Sequence, residues 1–382
     1  MTTSFPISAG SSSGIFVARL VESLSKHIDI TVLTPASDRP HDVAFSHNLK
    51  VFPFAYAPRA WRRLAHQPGG IPEALKERPW YFFLVPSFCL SMFFGCLRQA
   101  KGSDLINANW AITGCIAGLA GKLLGKPVVT TLRGSDYNRA KTSWLEHRIL
   151  GFCLRFNQRI VTVNIAMAKG LQRQFPRWSQ KITVIENGVA DAFLSLPLVK
   201  SKQAGEVPLE LLTIGSLTRN KDIATVIRAI SQVRDVVKVR LTVIGDGPEK
   251  DRLHSMVQEY ELAGLVHFVG GVLPERIPSF LANTDVLLVA SRSEGRPNVV
   301  IEAMAAGRAV VGTRINGVTE LIEQGKNGLL FDSGNSRELA DCIRKLFMQP
   351  ELIKEFGDAG RELVKRMNLT WEAAASKYLD LY

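Results

Sequence analysis

The stretch that decides the fold is E-G-R-P-N-V-V-I-E-A-M-A-A-G, residues 294–307. The run V-L-L-V-A-S precedes it and the run A-V-V-G-T follows it, and both are apolar and rich in β-branched residues, as buried strands are. Gly295 and Pro297 suit a turn, and Asn298 is a favourable N-cap, so we expect a helix over 299–306. The stretch therefore predicts a strand, a turn, a helix and a second strand.

Two glutamates mark the turn and the helix of this unit. Glu294 lies in the loop, and Glu302 lies about one turn into the expected helix, ~5 Å along its axis. Carboxylates beside the free N–H groups of a helix start suit a polyhydroxylated ligand, because they accept hydrogen bonds from neighbouring hydroxyls. The spacing alone fits equally well one loop glutamate and one on a solvated helix face, so the surrounding sequence has to decide.

Strand and helix patterns alternate over the rest of the chain. Such βα alternation predicts mostly parallel sheets covered on both faces, in which ligands bind at the carboxyl ends of the strands. We therefore predict an α/β fold of two Rossmann-like domains, residues 1–195 and 196–368, with a linker over 200–208 and a terminal helix over 369–382. The other strands are expected at 28–34, 104–107, 127–132, 159–163, 209–215, 239–245, 266–270, 285–290 and 309–312, with a helix at 112–124 among others.

Composition and charge narrow the class of protein. The 382 residues are 46% hydrophobic and 21% charged, which is ordinary for a globular protein with two cores. The net charge is +12, and residues 1–195 carry all of the excess, with 23 Lys and Arg against 11 Asp and Glu. This predicts an anionic partner for the first half, although solubility alone would also account for the charge.

The five cysteines are scattered and form no C-x-x-C pair, which indicates a reducing compartment and no zinc site. The N-terminus lacks signal-peptide features.

The order of strand, carboxylate turn, helix and strand over 286–331 resembles the nucleotide-sugar site of glycosyltransferase family four, which has the GT-B architecture. The resemblance extends more loosely over nearly the whole chain. It implies that the two domains face each other across a cleft and that the terminal helix crosses back to the first domain. Family members have a longer first strand than the few residues before Phe5, so we expect that the first strand is truncated at the given start and that a start codon lies further upstream.

Three segments of the second half resemble family motifs of the donor site. G-S-L-T-R-N-K, residues 215–221, is similar to G-R-L-x-x-x-K, which implies that Lys221 neutralises the diphosphate. Ser216 stands at the arginine position, and Arg219 either substitutes for it or is a solvated turn residue. G-D-G-P-E (245–249) and V-G-G-V (269–272) resemble nucleotide-side segments. The donor-binding residues implied here are Gly215, Gly245, Gly247 and Val269.

Two segments of the first half are also similar to family motifs. G-S-S-S-G, residues 10–14, precedes a helical pattern, and the family implies that Gly14 lies near the donor diphosphate and the acceptor. A plain surface turn is the alternative. T-L-R-G-S-D, residues 131–136, places Arg133 where the family often has His near the donor sugar. A structural salt bridge between Arg133 and Asp136 is the competing interpretation.

The resemblance implies a retaining transfer from a nucleotide-diphosphate sugar, with a UDP-sugar favoured. Glu294 is then expected to bind the sugar hydroxyls together with backbone N–H groups near Pro297, Asn298 and Val299, and Glu302 to bind the ribose. No D-x-D occurs in the chain, so we expect neither a metal nor another cofactor.

The acceptor side includes eighteen uncharged residues at 80–97, W-Y-F-F-L-V-P-S-F-C-L-S-M-F-F-G-C-L. Their length just reaches that of a membrane span, but Pro86 and the need for a helix at this point of a βα domain favour a buried or membrane-facing amphipathic helix. With the basic first half, this predicts a saccharide or lipid-linked saccharide acceptor. It also predicts a cytoplasmic enzyme that binds peripherally to the inner face of the cell membrane.

Two other functions stay open from the sequence. A nucleotide-sugar epimerase has the same architecture, but it needs acid and base side chains around the sugar, and the seven histidines form no evident His/Asp cluster. A basic nucleic-acid-binding protein fits the charge, but no aromatic-basic interleaving or recognition motif is present, so we expect no nucleic-acid partner.

Overall fold

The computed structural model describes residues 1–6, 14–38, 48–66, 70–198 and 208–382. The chain divides into two compact units, the first formed by Met1–Asn187 with Trp371–Tyr382 and the second by Gly188–Thr370. Residues 188–195 group with the second unit, because Val189 and Phe193 pack into its core. The predicted linker at 200–208 lies outside the described residues except for Pro208.

The first unit contains parallel strands and the helices that connect them. Its strands are β1 (Ile30–Pro35), β2 (Leu49–Phe54), β3 (Ile106–Asn109), β4 (Val128–Leu132), β5 (Arg159–Thr162) and β6 (Ile182–Val184). Its helices are α1 (Ile15–Leu24), α2 (Gly70–Glu77), α3 (Val85–Ala100), α4 (Ala111–Leu124), α5 (Ser135–Ala140), α6 (Trp144–Phe156) and α7 (Ile165–Gln174), together with the last helix of the chain, Trp371–Leu379.

Residues 1 and 2 join the two sheets of this unit. β1 pairs with β2, and β3 to β6 form a four-stranded sheet in sequence order. The Thr2 amide donates to the carbonyl of Leu33 in β1 (3.0 Å), while the carbonyl of Met1 accepts from the Asn109 amide at the end of β3 (3.0 Å). The first residues therefore lie between β1 and β3, where the central strand of a continuous parallel sheet belongs.

Side-chain alternation along β4 shows that helices cover both faces of the sheet. Val128 and Leu132 pack with α3, α4, α6 and α7 on one face. Val129 packs with α1 and the chain's last helix on the other, where Trp371 and Tyr378 are buried. The last helix is thus part of the first unit's core, although it follows the whole second unit in sequence.

The second unit is a six-stranded parallel sheet with helices on both faces. Its strands are β7 (Leu209–Ile214), β8 (Val239–Ile244), β9 (Val266–Gly270), β10 (Val286–Val289), β11 (Ala309–Thr313) and β12 (Leu329–Phe331). Its helices are α8 (Asp191–Leu194), α9 (Ile223–Val233), α10 (Lys250–Glu259), α11 (Ile277–Ala282), α12 (Asn298–Ala305), α13 (Asn316–Thr319), α14 (Ser336–Met348) and α15 (Glu351–Arg366), so that the last helix of the chain is α16.

The strand order is β12-β11-β10-β7-β8-β9, which is the order of a doubly wound Rossmann fold. The chain leaves β7 toward β8 on one side and later returns to place β10 on its other side. The carboxyl ends of β7 and β10 therefore form the point at which the strand order reverses. Ligands of open parallel sheets bind in the crevice at such a point.

The structure corrects one sequence prediction in this unit. The helix of the opening stretch begins at Asn298 and not at Val299, and Pro297 is its N-cap, without a side-chain capping hydrogen bond. Pro297 already has the extended conformation of a cap (φ −73°, ψ 110°), and its carbonyl accepts the first helical bond from Val300 (3.1 Å). The predicted capping role of Asn298 was therefore wrong.

Three strands, β2, β6 and β12, were absent from the sequence prediction. β2 reads L-K-V-F-P-F, and its proline lowers its strand signal, although an edge strand tolerates the missing N–H. β6 and β12 have only three residues each. All three lie at an edge of their sheet.

Candidate active site

A short ion pair lies where the strand order of the second unit reverses. Lys221 follows β7 and Glu294 follows β10, and the Lys221 Nζ lies 2.5 Å from Oε1 of Glu294. Both side chains are shielded, with 26% of Lys221 and 14% of Glu294 exposed. Two predicted site residues that are 73 positions apart in sequence are thus brought into direct contact.

Hydrogen bonds and an ion pair connect the loop of Lys221 to the loop of Glu294. The Asn220 side chain donates to the carbonyl of Ser293 (2.9 Å), and the Arg292 amide donates to the carbonyl of Asn220 (2.8 Å). The guanidinium of Arg292 contacts the carboxylate of Asp222 (3.0 Å), which is buried and has a left-handed backbone (φ 46°). Hydrogen bonds on both sides of Lys221 therefore fix its position, and sequence reasoning missed the residues that make them.

The predicted glycines of the donor site have packing reasons of their own. A Cβ on Gly245 (φ 143°) would lie 1.9 Å from the carbonyl oxygen of Gly215, and one on Gly247 would lie 2.6 Å from that of Leu217. At Gly215 the nearest neighbour of a Cβ would be the Lys221 side chain, at 3.2 Å. The loops after β7 and β8 can cross this closely only because these positions lack side chains.

The loop that contains Glu294 also packs against α13. A Cβ on Gly317 would lie 2.5 Å from the carbonyl oxygen of Gly295 and 2.9 Å from that of Glu294. The start of α12 follows directly, with Pro297 buried and Asn298, Val299 and Glu302 half-buried. Val269, near the end of β9, has 43% of its surface exposed.

Arg219 does not join the Lys221–Glu294 pair. Its side chain is 91% exposed and lies 3.5 Å from Oε1 of Glu249, at the start of α10. Glu249 also pairs with Arg252 one turn later. Of the two interpretations of Arg219 left open by the sequence, its exposure favours the turn residue.

Arg133 in the first unit is held by amide oxygens. Its Nε and one terminal nitrogen donate to Oδ1 of Asn109 (3.0 and 2.6 Å), and the other donates to Oδ1 of Asn187 (2.9 Å). The guanidinium also lies 5.0 Å from the ring centroid of Phe16. Asn109 ends β3, Arg133 and Asn187 follow β4 and β6, and Phe16 belongs to α1, so these residues meet at the carboxyl edge of the sheet.

The structure does not contain the Arg133–Asp136 salt bridge that the sequence left open as an alternative. The Asp136 carboxylate accepts hydrogen bonds from the backbone amides of Ala111 (3.0 Å) and Arg133 (3.1 Å) and not from the guanidinium. Burial raises the pKa of Asp136 and lowers the pKa of Arg133. Asp136 thus fixes two backbone segments, and the Arg133 guanidinium contacts neutral groups.

Gly14 and Trp110 are conformationally unusual residues in this part of the first unit. Gly14 (φ 70°) begins α1, and a Cβ there would lie 2.2 Å from the carbonyl oxygen of Ser4; the rest of its loop, 10–13, is outside the described residues. Trp110 has φ 70° and ψ 154°, a conformation that costs a non-glycine residue about 1–3 kcal/mol. Its ring packs edge-on against Phe16, at 6.1 Å. No sequence signal identified Trp110, because backbone strain leaves no pattern.

Comparison with known families covers both units. A family model described as Glycosyltransferase Family 4 matches residues 13–193, and one described as Glycosyl transferases group 1 matches residues 198–363. Curated relatives include an uncharacterized glycosyltransferase of Methanocaldococcus jannaschii, 28% identical over 74% of this chain and 76% of its own. The lipopolysaccharide core biosynthesis glycosyltransferase LpsE of Rhizobium meliloti is 29% identical over 53% of this chain and 58% of its own.

Solved structures show the same fold. Sucrose-phosphate synthase from Thermosynechococcus elongatus superposes with a TM-score of 0.80 at 22% identity, over 99% of this chain and 95% of that one. HepE from Anabaena, solved in complex with UDP-glucose, superposes with a TM-score of 0.73 at 18% identity, over 100% of this chain and 99% of that one. With a matching model for each half and this fold, the chain belongs to glycosyltransferase family four, the group 1 glycosyltransferases of the GT-B fold.

Proposed function

We propose that the protein is a retaining, metal-independent glycosyltransferase that uses a UDP-sugar. The observation that carries this proposal is the Lys221–Glu294 pair at the reversal point of the second sheet. A lysine and a carboxylate there match the two ends of a nucleotide-diphosphate sugar, because one end is anionic and the other is rich in hydroxyls. The UDP-glucose complex of the similar HepE supports the choice of nucleotide.

The proposed reaction needs no dedicated protein base. The acceptor hydroxyl attacks the anomeric carbon on the face from which the diphosphate leaves, the bond between that carbon and the phosphate oxygen breaks, and the departing oxygen takes the acceptor proton. Lys221 stabilises the negative charge that develops on the leaving group. Glu294 and the N–H groups at the start of α12, near Pro297, Asn298 and Val299, orient the sugar.

The nucleotide is assigned to the remaining donor residues of the second unit. Glu302 binds the ribose hydroxyls, and the backbone at Val269 contacts the base. The loops containing Gly215, Gly245 and Gly247 border the phosphates. Arg219 is given no role in donor binding, because its exposed side chain pairs with Glu249.

The first unit, Met1–Asn187 with Trp371–Tyr382, is assigned to the acceptor side, and the second unit, Gly188–Thr370, is assigned to the donor. We propose Arg133 as a preorganised cation for the donor sugar or phosphate, since its partners Asn109 and Asn187 hold it without neutralising its charge. Gly14 allows a close approach of backbone to donor at the start of α1.

We also propose that the enzyme is cytoplasmic and works on a saccharide or lipid-linked saccharide at the inner membrane face. Pro79–Ala100 is the one stretch among the described residues that is long and apolar enough to cross a membrane. Leu84, Phe88 and Met92 of this stretch are buried in the first unit's core, which favours a packed helix over a span. Its outer side exposes Phe83 (85%) and Phe94 (62%), which suits contact with a bilayer.

A thermal-shift panel of UDP-, GDP- and ADP-sugars tests the donor site, without added metal. We expect UDP-sugars to raise the melting temperature of the wild type but not that of Lys221→Ala.

An activity assay tests the catalytic roles. Transfer activity should fall by about 10²–10³ in Lys221→Ala, because a group that stabilises developing charge is removed, and Glu294→Ala should abolish transfer. Lys354→Ala is the control, because Lys354 lies on α15 and forms an ion pair with Asp358 (2.6 Å) and with no other described residue. Full activity of either site variant would refute the assignment.

A further inference from the structure

A cationic pocket lies at the edge of the first unit's sheet that is opposite to Arg133. It has a volume of about 460 Å³ and is placed where β4, β5 and β6 begin, whereas Arg133 follows the end of β4. The C-terminal ends of α4 and α6 form its walls. The pocket is lined by Lys122, Lys126, Pro127, Val128, Arg155, Phe156, Asn157, Gln158 and Lys181.

The pocket carries an excess of positive charge. Four of its lining residues are cations, no Asp or Glu lines it, and none of the four forms an ion pair within the described part of the chain. Lys181 donates to the carbonyls of Leu154 (3.1 Å), Arg155 (3.3 Å) and Asn157 (2.7 Å), so it serves the end of α6. Two helix ends contribute only about half a negative charge each, which leaves the pocket strongly positive.

An aromatic ring positions two of the other three cations. Lys122 Nζ and the guanidinium carbon of Arg155 each lie 5.4 Å from the ring centroid of Phe156. Such contacts restrain a lysine and an arginine without neutralising them. Lys126 is the fourth cation of the pocket. It lies two residues after the end of α4 and has no aromatic or acidic contact in the described structure.

The surface next to the pocket is apolar. The ring of Phe152, which is 38% exposed, lies 4.4 Å from that of Phe156. On α4, Leu119 is 39% and Leu123 is 70% exposed, on either side of Lys122 in sequence. A ligand that fits both surfaces has an anionic head and an apolar tail.

We propose that this pocket binds the phosphate head group of an anionic phospholipid, with its acyl chains along Leu119, Leu123 and Phe152. The inference rests on the proposed membrane association but not on the sugar transfer. It assigns the lipid to a defined pocket, whereas the general positive charge of the first half predicts only diffuse attraction to a bilayer.

The test compares two charge-matched double variants on vesicles of phosphatidylglycerol and phosphatidylcholine. Lys126→Gln with Arg155→Gln removes two pocket cations, and Arg337→Gln with Lys345→Gln removes two exposed cations of α14 in the second unit. Each basic residue at an anionic surface contributes a factor of about five, so we expect about 30-fold weaker co-sedimentation for the pocket variant. The control should bind like the wild type, and both should melt at the wild-type temperature.

A second arm separates a lipid from a free anion. Short-chain phosphatidylglycerol below its micelle concentration should bind the wild type saturably and should not bind the pocket variant, while inorganic phosphate should bind far more weakly. Equal binding of phosphate and short-chain lipid would overturn the lipid assignment. Equal vesicle binding by the two double variants would overturn the pocket itself. If that occurs while a Phe83→Ser, Phe94→Ser variant loses vesicle binding, the membrane association stands without the pocket.

Discussion

At the scale of single residues, glycines and one ion pair explain the geometry of the proposed donor site in the second unit. Lys221 and Glu294 meet because β7 and β10 are neighbours, and glycines let the flanking loops cross. The sequence indicated each of these positions as a ligand contact. The structure adds a packing role for the glycines, so loss of activity in a glycine variant does not by itself identify a ligand contact.

We predict that Gly245→Ala destabilises the second unit by about 3 kcal/mol. Its Cβ would lie 1.9 Å from the carbonyl oxygen of Gly215, and its φ of 143° is unfavourable for alanine. Urea unfolding of the full chain measures the change.

Gly264→Ala is the matched control in the same unit. A Cβ there meets no atom within 4 Å, so the variant should unfold within about 0.5 kcal/mol of the wild type. Equal stability of the two variants would contradict the close loop crossing.

At the scale of elements, α3 has one side buried in the core and an apolar side exposed to solvent. Every fourth residue from Leu84 to Ala100 is buried in the core, while Leu90 and Phe94 are exposed on the opposite side. The sequence identified an apolar helix that reaches the length of a span. Which side is covered depended on the strands and on α4, which are distant in sequence.

We predict that Phe83→Ser with Phe94→Ser weakens binding to anionic vesicles by at least about tenfold without lowering the melting temperature. The rings are 85% and 62% exposed, so they contribute little to the core, and burying one in a bilayer is worth about 1.5–3 kcal/mol. Vesicle co-sedimentation and thermal melting measure the two effects.

Met348→Ser is the control for this prediction, because Met348 is 71% exposed on α14 of the second unit. Its vesicle binding should equal that of the wild type. Unchanged binding of the double phenylalanine variant would exclude α3 as the membrane contact.

At the scale of the whole molecule, the five cysteines are free thiols in both units. Burial raises the pKa of Cys89 and Cys96, and burial with the nearby Glu338 raises the pKa of Cys342 to about 11. Since the thiolate is the reactive form, it is present only at pH values near or above the raised pKa. Cys96, Cys153 and Cys342 are buried, and Cys89 and Cys115 are half-buried.

We predict that Cys342 reacts with iodoacetamide at neutral pH about 100-fold more slowly than an unfolded cysteine, because burial raises its pKa from 9.0 to about 11 and lowers its thiolate fraction by that factor. The rate should rise with pH up to about 11. Peptide mass spectrometry of native and urea-unfolded protein measures it, and rapid labelling of the native protein at neutral pH would contradict the burial.

The sequence by itself determined the α/β class, most strands and the family, because alternating apolar patterns and turn residues are local properties of the chain. It also selected Lys221, Glu294 and Arg133 as candidate site residues. Only the tertiary structure decided which distant residues support them. Arg133 is held by Asn109 and Asn187. The loop of Lys221 is fixed by Asn220 and Asp222. Helix α16 packs into the core of the first unit. Strand order and register bring such residues together, and these depend on contacts between segments far apart in sequence.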